Sequence, residues 1–325
     1  MGDPPAAIAL DLGSTRFKLG SLDAEGNLEV VSTAPAPELK GGGLIREGQP
    51  EEFLRIATEL IDQAAARWPG HSLGLVSQRS TFTVWHPQSG QPLAPMISWQ
   101  DRGAANWCDA HVDLRESIAR ESGLLLSPHY LGPKLAALQQ SHPEVRHALQ
   151  QDGARIGTLD AWLMWHWNQK NRHQTDLTMA ARTALVDIEL GAWSPRLCQL
   201  FDVPLAALPE IRPSNSQSLI LDNGLRLNAS IADQASGAIA VLDPHEDVAL
   251  VNFGTGAFVL SPQANARTRK AGYLTAPILS TAGESTRFVL EGTINGAGPA
   301  LDKFHSGPTV LPTEDDCPEG FAIRI

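Results

Sequence analysis

Two short glycine-containing turns carry residue types that suit the binding of a phosphorylated nucleotide. The first, Asp11-Leu12-Gly13-Ser14-Thr15, is followed by Lys18, and the second is Gly254-Thr255-Gly256. Glycine lets the backbone approach a ligand closely, and successive turn amides form a concavity that binds anions. Asp11 would supply a hard oxygen to Mg²⁺, and Lys18 would neutralise a transferring phosphoryl group. Two such turns could clasp a triphosphate from both sides of a cleft, but either one alone is also typical of a tight hairpin without a ligand.

The elements around the first turn predict a strand meander. Apolar or alternating runs cover residues 6–12, 16–22 and 28–33, and a turn is expected at 23–27. This pattern excludes a dinucleotide-binding opening, in which a glycine-rich turn leads directly into a helix. The first helix is predicted from Pro50 to Trp68, where apolar residues recur at three- and four-residue spacing.

Helices and strands alternate through the rest of the sequence, which predicts an α/β protein. Further helices are expected at about 134–140, 144–151 and 159–167, and another begins near Asp233. Strands are expected at 72–77, 81–85, 96–99, 183–188, 219–221, 248–253, 257–260 and 288–290. The pattern breaks at residues 243–246, and we therefore predict two domains, 1–241 and 242–325.

Composition and charge exclude several classes of partner. The formal net charge of −11 repels nucleic acid and anionic membrane surfaces. Cys108, Cys198 and Cys317 lie far apart with no CxxC pair, which is typical of reduced thiols and not of a disulfide framework or a zinc site. There is no signal-peptide pattern and no apolar run approaching ~20 residues. We therefore expect a cytoplasmic protein with a small-molecule partner, and a homo-oligomer is left open.

A series of short segments covers nearly the whole chain. The segments are Asp11–Lys18, Ser77-Gln78-Arg79, Ser98-Trp99-Gln100-Asp101-Arg102, Pro133-Lys134-Leu135, Gly157-Thr158-Leu159-Asp160, Thr175-Asp176-Leu177-Thr178, Ala181-Arg182-Thr183, Ala232-Asp233-Gln234, Gly254-Thr255-Gly256-Ala257-Phe258 and Glu291-Gly292-Thr293. In this order they resemble the motifs of the FGGY carbohydrate kinases, a family within the actin, Hsp70 and hexokinase superfamily. The resemblance implies a complete ribonuclease-H-like (actin-like ATPase) domain followed by a partial second domain of the same type.

The resemblance also implies phosphoryl transfer from ATP, with Mg²⁺, to a hydroxyl of a sugar or polyol in a cleft between the two domains. Asp233 matches the family's catalytic base, and a carboxylate within hydrogen-bond reach of the hydroxyl would accept its proton. Alignment and charge neutralisation by the two glycine turns should supply most of the catalysis. From the local sequence alone, Asp233 is equally well interpreted as an N-cap of the following helix, and the two roles are compatible.

The acceptor pocket is expected to contain a set of polar and aromatic side chains, with Asp176 a weaker candidate. They are Gln78, Arg79, Trp99, Asp101, His129 and Gln234. Arginine offers a rigid fork of donors for vicinal hydroxyls, and an indole face can lie against a sugar ring. Glycerol kinases, which resemble the chain around Gln78-Arg79, have glutamate in place of Ser80 and tyrosine in place of His129. Xylulose and gluconate kinases also differ after the glutamine, so the substrate subclass is open.

The chain ends at Ile325, whereas the family resemblance implies further helices and a glycine-rich adenine-binding stretch after Glu291-Gly292-Thr293. Two interpretations follow. The chain is a sugar or polyol kinase, or a fragment of one, or it is a catalytically inactive homologue with a sugar-binding or regulatory role. The presence of Asp11, Asp233 and the second glycine turn favours the first interpretation, and the missing adenine segment favours the second.

Overall fold

The computed structural model describes residues 4–169, 171–242, 248–253 and 257–294. Within these residues the strands are β1 (Ala7–Leu12), β2 (Arg16–Leu22), β3 (Leu28–Pro35), β4 (Glu47–Gly48), β5 (Ser72–Ser77), β6 (Phe82–Trp85), β7 (Met96–Ile97), β8 (Arg155–Thr158), β9 (Gln174–Asp176), β10 (Val186–Asp187), β11 (Ala192–Trp193), β12 (Glu210–Arg212), β13 (Leu219–Ile220), β14 (Arg226–Ala232), β15 (Leu250–Phe253), β16 (Ala257–Gln263), β17 (Leu274–Leu279) and β18 (Arg287–Ile294). The α-helices are α1 (Pro50–Arg67), α2 (Ala105–Ala110), α3 (Arg115–Ser122), α4 (Leu131–Ser141), α5 (Pro143–Gln150), α6 (Leu159–Trp167), α7 (Leu177–Ala180), α8 (Pro195–Leu200) and α9 (Asp233–Val241). Short 3-10 turns cover Val112–Leu114, Ala181–Thr183 and Leu205–Ala207.

Six of the described strands form the sheet that organises the first part of the chain, in the order β13-β14-β5-β1-β2-β3. Strands β1, β2 and β3 are antiparallel neighbours, which confirms the predicted meander. Strand β5 runs parallel to β1, and β14 runs parallel to β5. The carboxyl ends of β1, β5 and β14 therefore lie at one edge of the sheet.

Helix α1 covers one face of this sheet. Pro50 occupies its first turn together with Glu51 and Glu52, where a fixed φ and negative charges favour a helix start. Its apolar face buries Phe53 and Leu60 against the sheet, where each side chain contributes roughly 1.5–3 kcal/mol through removal from water. The helix agrees with the prediction except at its end, since residue 68 is the C-cap.

A second, antiparallel sheet is formed by described strands in the order β15-β16-β18-β17. Helix α9 packs between β14 and β17, and an apolar cluster that includes Ala235, Ala238, Leu260 and Ile278 joins the two sheets. Residues 243–247 lie outside the described residues, so the domain boundary at 241/242 stays a prediction. None of the helices that the structure describes is long and apolar enough to cross a lipid bilayer.

Seven of the described strands were not predicted from the sequence, namely β4, β8, β9, β11, β12, β14 and β17, and one strand was predicted with the wrong extent. The two longest of the seven, β14 and β17, show why. Strand β14 contains a register shift between Leu227 and Ala229, which interrupts the alternation of buried and exposed positions. Strand β17 contains Pro277, which argues against a strand in sequence, but β17 lies at the edge of its sheet, where a missing donor is tolerated. The strand predicted at 183–188 was wrong in extent: only Val186–Asp187 pairs with a neighbour, since residues 181–183 form a 3-10 turn.

Candidate active site

The register of three parallel strands brings distant sequence segments to one edge of the first sheet. Leu12 at the end of β1 pairs with Ser77 at the end of β5, and Ser77 pairs with Ala232 at the end of β14. The next residues along the chain therefore leave the sheet side by side. Gly13 begins the first glycine turn, and Asp233 begins helix α9.

The first glycine turn is a tight hairpin between β1 and β2. A side chain at Gly13 would bring its Cβ to 2.9 Å from the carbonyl oxygen of Arg16, so only glycine fits without a shift. Asp11 and Lys18 are direct cross-strand partners, and the Lys18 Nζ lies 3.6 Å from the Asp11 Oδ2. Ser14 and Thr15 are exposed at the tip of the turn. The hairpin thus presents a carboxylate, an ammonium group and turn residues to solvent at the edge where Asp233 emerges.

Asp233 keeps an accessible carboxylate in this setting. Its side chain is 43% exposed, and its Oδ1 accepts a hydrogen bond from the amide of Gln234 at 2.8 Å. The surrounding protein still removes enough solvent to raise the pKa of the carboxyl group, an effect that the positive charge of Arg79 opposes and the negative charge of Asp11 reinforces. Asp233 is also the first residue of α9, but the N-cap itself is Ala232.

Arg79 links Asp233 to the second sheet. Its Nε lies 3.9 Å from the Asp233 Oδ1, and its Nη1 donates to the Glu291 Oε2 at 3.4 Å. Glu291, on β18, also accepts two hydrogen bonds from Arg182, at 3.0 and 3.1 Å. Burial would raise the pKa of the Glu291 carboxyl group, but the charges of Arg182 and Arg79 outweigh burial and hold the pKa below its usual value.

The residue after Arg79 has an unusual backbone conformation. Ser80 has a φ of 61°, in the left-handed region that side chains with a Cβ seldom adopt. Its hydroxyl donates to the carbonyl oxygen of Arg182 at 3.3 Å, which ties this turn to the segment that carries the second arginine. The bend is thus held by a contact to the same arginine that binds Glu291.

Trp99 and His129 form a partly exposed wall beside these charges. The Trp99 side chain is 40% exposed, and its carbonyl oxygen lies 3.4 Å from the His129 Nδ1. Burial lowers the pKa of His129, so its ring is neutral near pH 7. Behind this wall, the Thr81 hydroxyl accepts from the Trp99 amide at 3.0 Å and donates to the Gln78 Oε1 at 3.1 Å. Gln78 is buried, and it supports the loop that carries Trp99 through the Thr81 hydroxyl.

Of three other residues expected in the acceptor pocket, Asp101 and Asp176 make structural hydrogen bonds and Gln234 lines a cavity. Both carboxylate oxygens of Asp101 accept backbone amides, from Arg46 at 2.7 Å and from Gly103 at 2.8 Å, and the side chain is 4% exposed. Gln234 lines a small cavity of about 10 Å³, and its Nε2 has no hydrogen-bond partner among the described residues. The weaker candidate Asp176 is fully buried and caps α7, which corrects its assignment to the pocket. For Asp101 and Gln234, direct contact with a substrate stays a prediction.

Sequence reasoning did not assign a role to Arg182, Glu291 or Lys134. Lys134 is 3% exposed, and its Nζ donates to the Ser98 carbonyl oxygen at 2.6 Å, next to Trp99. Burial lowers the pKa of Lys134 to about 7, against a partial opposing effect of Asp101. All three residues lie in segments that resemble the family motifs, and this position in a motif is the sequence feature that could have identified them.

The second glycine turn, Gly254-Thr255-Gly256, lies outside the described residues, so its position relative to the first turn is not described. The strands that flank it, β15 and β16, are antiparallel neighbours, as the sequence predicted. Among the described residues, no group of three or more histidine, cysteine, aspartate or glutamate side chains could hold a metal ion.

The described sheets and helices form a mixed α/β protein. Residues 6–235 match the model of the N-terminal domain of the FGGY family of carbohydrate kinases. The chain belongs to this family. The resemblance inferred from short sequence segments is confirmed.

Several relatives of this chain carry the name glycerol kinase. The chain is 31% identical over 324 residues to a glycerol kinase of Alkalilimnicola ehrlichii, covering 96% of this chain and 65% of the relative. It is 27% identical over 321 residues to a glycerol kinase of Trichlorobacter lovleyi, covering 95% of this chain and 65% of the relative. The chain thus spans slightly less than two thirds of the length of these relatives.

Solved structures show the same fold. The crystal structure of Plasmodium falciparum glycerol kinase with ADP matches with a TM-score of 0.85 at 23% identity, covering 94% of this chain and 64% of that one. A ligand-bound xylulose kinase of Lactobacillus acidophilus matches with a TM-score of 0.78 at 18% identity, covering 95% and 64%. These matches confirm the predicted fold class.

Proposed function

We propose that this chain forms part of an enzyme that transfers a phosphoryl group from ATP to a hydroxyl of a sugar or polyol, with Asp233 as the general base. One observation carries the proposal: the exposed Asp233 carboxylate follows β14 and the Asp11 hairpin follows β1, and these two parallel strands flank β5 and end at the same edge of the sheet. The names of the glycerol and xylulose kinases that the chain resembles support a sugar or polyol as acceptor. The division into domains 1–241 and 242–325, with the cleft between them, is part of the proposal.

Asp233 would accept the proton of the acceptor hydroxyl as the phosphoryl group arrives. A general base must be accessible and ionised, and the 43% exposure of its side chain meets the first requirement. Arg79 favours ionisation of Asp233, because its positive charge offsets part of the rise that burial causes in the pKa of the Asp233 carboxyl group. Phosphoryl transfer needs little covalent help from the protein, so alignment of this carboxylate with the acceptor is its main contribution.

The first hairpin fits a nucleotide phosphate with its metal ion. Asp11 would contribute an oxygen to Mg²⁺, and Lys18 together with the amides of the turn at residues 13–15 would face the phosphate oxygens. Bound Mg²⁺-ATP would supply the phosphoryl group and neutralise charge that develops during transfer. Glycine at position 13 allows the tight hairpin, since a Cβ there would meet the carbonyl oxygen of Arg16. Gly254, Thr255 and Gly256 would serve the same phosphates from the other side.

The acceptor would lie between Arg79 and the wall formed by Trp99 and His129. An exposed indole offers an apolar face to a sugar ring, and arginine donates to hydroxyl oxygens. Ser80 lacks the carboxylate that glycerol kinases have at this point, and a neutral His129 replaces their tyrosine. These two positions bear on which polyol or sugar is accepted.

The experiment that tests the proposal is a coupled ADP-release assay on the complete gene product with a panel of polyols, ketoses and aldonates. We expect one acceptor class to be phosphorylated, and Asp233→Asn to lose at least about 10³-fold in kcat while acceptor binding, measured by calorimetry, is retained. Asp62→Asn is the matched control, because Asp62 is an exposed carboxylate on α1 that bonds only Asn223 among the described residues. Wild-type turnover in Asp233→Asn would remove Asp233 from the mechanism, and a panel without any turnover would favour a sugar-binding protein.

A further inference from the structure

A chain of buried hydrogen bonds ends at the residue before Asp233. The carboxylate of Asp176, fully buried, accepts the amides of Thr178 and Met179, each at 3.0 Å. The hydroxyl of Thr178 donates to this carboxylate at 2.9 Å and accepts a hydrogen bond from the amide of Ala232, also at 2.9 Å. One hydroxyl therefore joins a buried carboxyl group to the last residue of β14.

The same carboxylate also connects to the second sheet. Ser214 donates its hydroxyl to the Asp176 Oδ2 at 2.8 Å, and the Ser214 Oγ accepts the amide of Ser280 at 3.3 Å. Ser280 follows directly after β17. Asp176 is thus a common acceptor for α7, for the end of β14 through Thr178, and for the end of β17 through Ser214.

Ala232 is the point at which the chain changes from strand to helix. It closes the register of β14 with Ser77 and is the N-cap residue of α9. The position of its amide sets the direction in which Asp233, the next residue, leaves the sheet. A short side chain such as aspartate has two side-chain torsions, so its carboxylate follows the backbone closely.

We propose that Thr178 is a positioning residue for Asp233, and that Asp176 holds the Thr178 hydroxyl in the orientation that accepts the Ala232 amide. The inference rests on the proposed role of Asp233 as the base. Without the hydroxyl, the buried amide of Ala232 loses its partner, and the start of α9 shifts to find another. A displacement of about 1 Å at a reacting group can reduce turnover by about 10²-fold.

The test compares Thr178→Val with Thr178→Ser in the complete gene product, using the panel acceptor that turns over fastest. We expect Thr178→Val to lower kcat by about 10- to 100-fold with less than about a threefold change in the acceptor KM, and Thr178→Ser to restore most of kcat. Amide hydrogen exchange at Ala232 should accelerate by up to about tenfold in Thr178→Val and not in Thr178→Ser.

Thr175→Val provides the matched control. Thr175 is equally buried, and its hydroxyl donates to another buried carboxyl group, that of Asp160, at 2.7 Å, whereas the Ala232 amide donates to Thr178. This variant should lose stability to a similar degree and keep kcat within about twofold of wild type. If Thr175→Val and Thr178→Val lower kcat equally, the effect is one of general stability and the inference is overturned.

The Asp233→Asn background separates this inference from the proposed function. There, Thr178→Val should cause no further loss of kcat, because the group that it positions is already absent. If Asp233→Asn is inactive but Thr178→Val turns over at the wild-type rate, only the positioning role is overturned. If Asp233→Asn is fully active, or no acceptor is phosphorylated, the proposed function fails and the positioning role fails with it.

Discussion

The buried contact of Glu291 with Arg182 gives the sharpest prediction for stability. Glu291 is 1% exposed, the Arg182 side chain is 9% exposed, and two hydrogen bonds of 3.0 and 3.1 Å join them. Glu291→Gln keeps the shape of the side chain and one acceptor oxygen but leaves Arg182, with Arg79 beside it, without a balancing charge. Removing one partner of a buried ion pair typically costs 3–5 kcal/mol, and because one hydrogen bond survives we expect a loss of about 3 kcal/mol in the free energy of unfolding.

The pair formed by Arg55 and Glu59 is the matched control. Its 2.7 Å separation is shorter than that of the buried pair, but both side chains are more than half exposed on α1. Solvent screens such a pair, so Glu59→Gln should cost at most about 0.5 kcal/mol. Urea unfolding followed by tryptophan fluorescence would measure both variants. If Glu291→Gln costs no more than Glu59→Gln, burial is not what makes this contact important.

The same pair predicts a dependence on pH. Since the folded-state pKa of Glu291 lies below its usual 4.5, the stabilisation is fully present above pH 4.5 and is lost as the pH falls through the lower, folded value. The difference between wild type and Glu291→Gln should therefore shrink in acid. A difference that stays constant from pH 7 to pH 3 would contradict a charge-based contribution.

Two further predictions concern the charged groups of Arg79 and Lys134. Arg79→Met removes a charge that opposes the raised pKa of Asp233, so the acid limb of the kcat/KM profile should move to higher pH, and a shift to lower pH would contradict this assignment. Lys134 has a folded-state pKa of about 7 against 10.5 unfolded, so the unfolded state binds more protons between these values and wild-type stability should rise from pH 7 toward pH 10 relative to Lys134→Met. Parallel urea-midpoint curves for wild type and Lys134→Met across that range would show that Lys134 does not titrate in this way.

The parts of the site that the sequence could predict are those tied to local pattern. Asp11 stands at the end of an apolar run, and the glycine after it indicates a turn, so a polar hairpin could be expected there without any structure. Helix α1 was predictable because its apolar residues recur at helical spacing over eighteen residues. The family motifs drew attention to Asp233, but nothing local distinguished a base from a helix cap.

The remaining parts depend on contacts between residues far apart in sequence. Arg79 and Glu291 are 212 positions apart, and neither has a neighbour that indicates the other. Asp101 was expected at the substrate from the family resemblance, and the sequence did not indicate that two backbone amides donate to its oxygens. Such backbone contacts depend on loop geometry, which side-chain types and spacing do not specify.

The bulge in β14 has a consequence for which side chains face the core near Asp233. Asn228 is the additional residue, since Leu227 pairs with Leu73 and Ala229 pairs with the very next position, Gly74. After the bulge, the alternation of buried and exposed side chains along β14 is shifted by one residue. Ser230 is therefore buried, and Ile231 is only partly buried. Deletion of Asn228 would let β14 pair with β5 without interruption and would leave Asp233 at the carboxyl end of the strand. Deletion of one residue between Asn228 and Asp233 would instead move Gln234 to that position, so that an amide replaces the carboxylate.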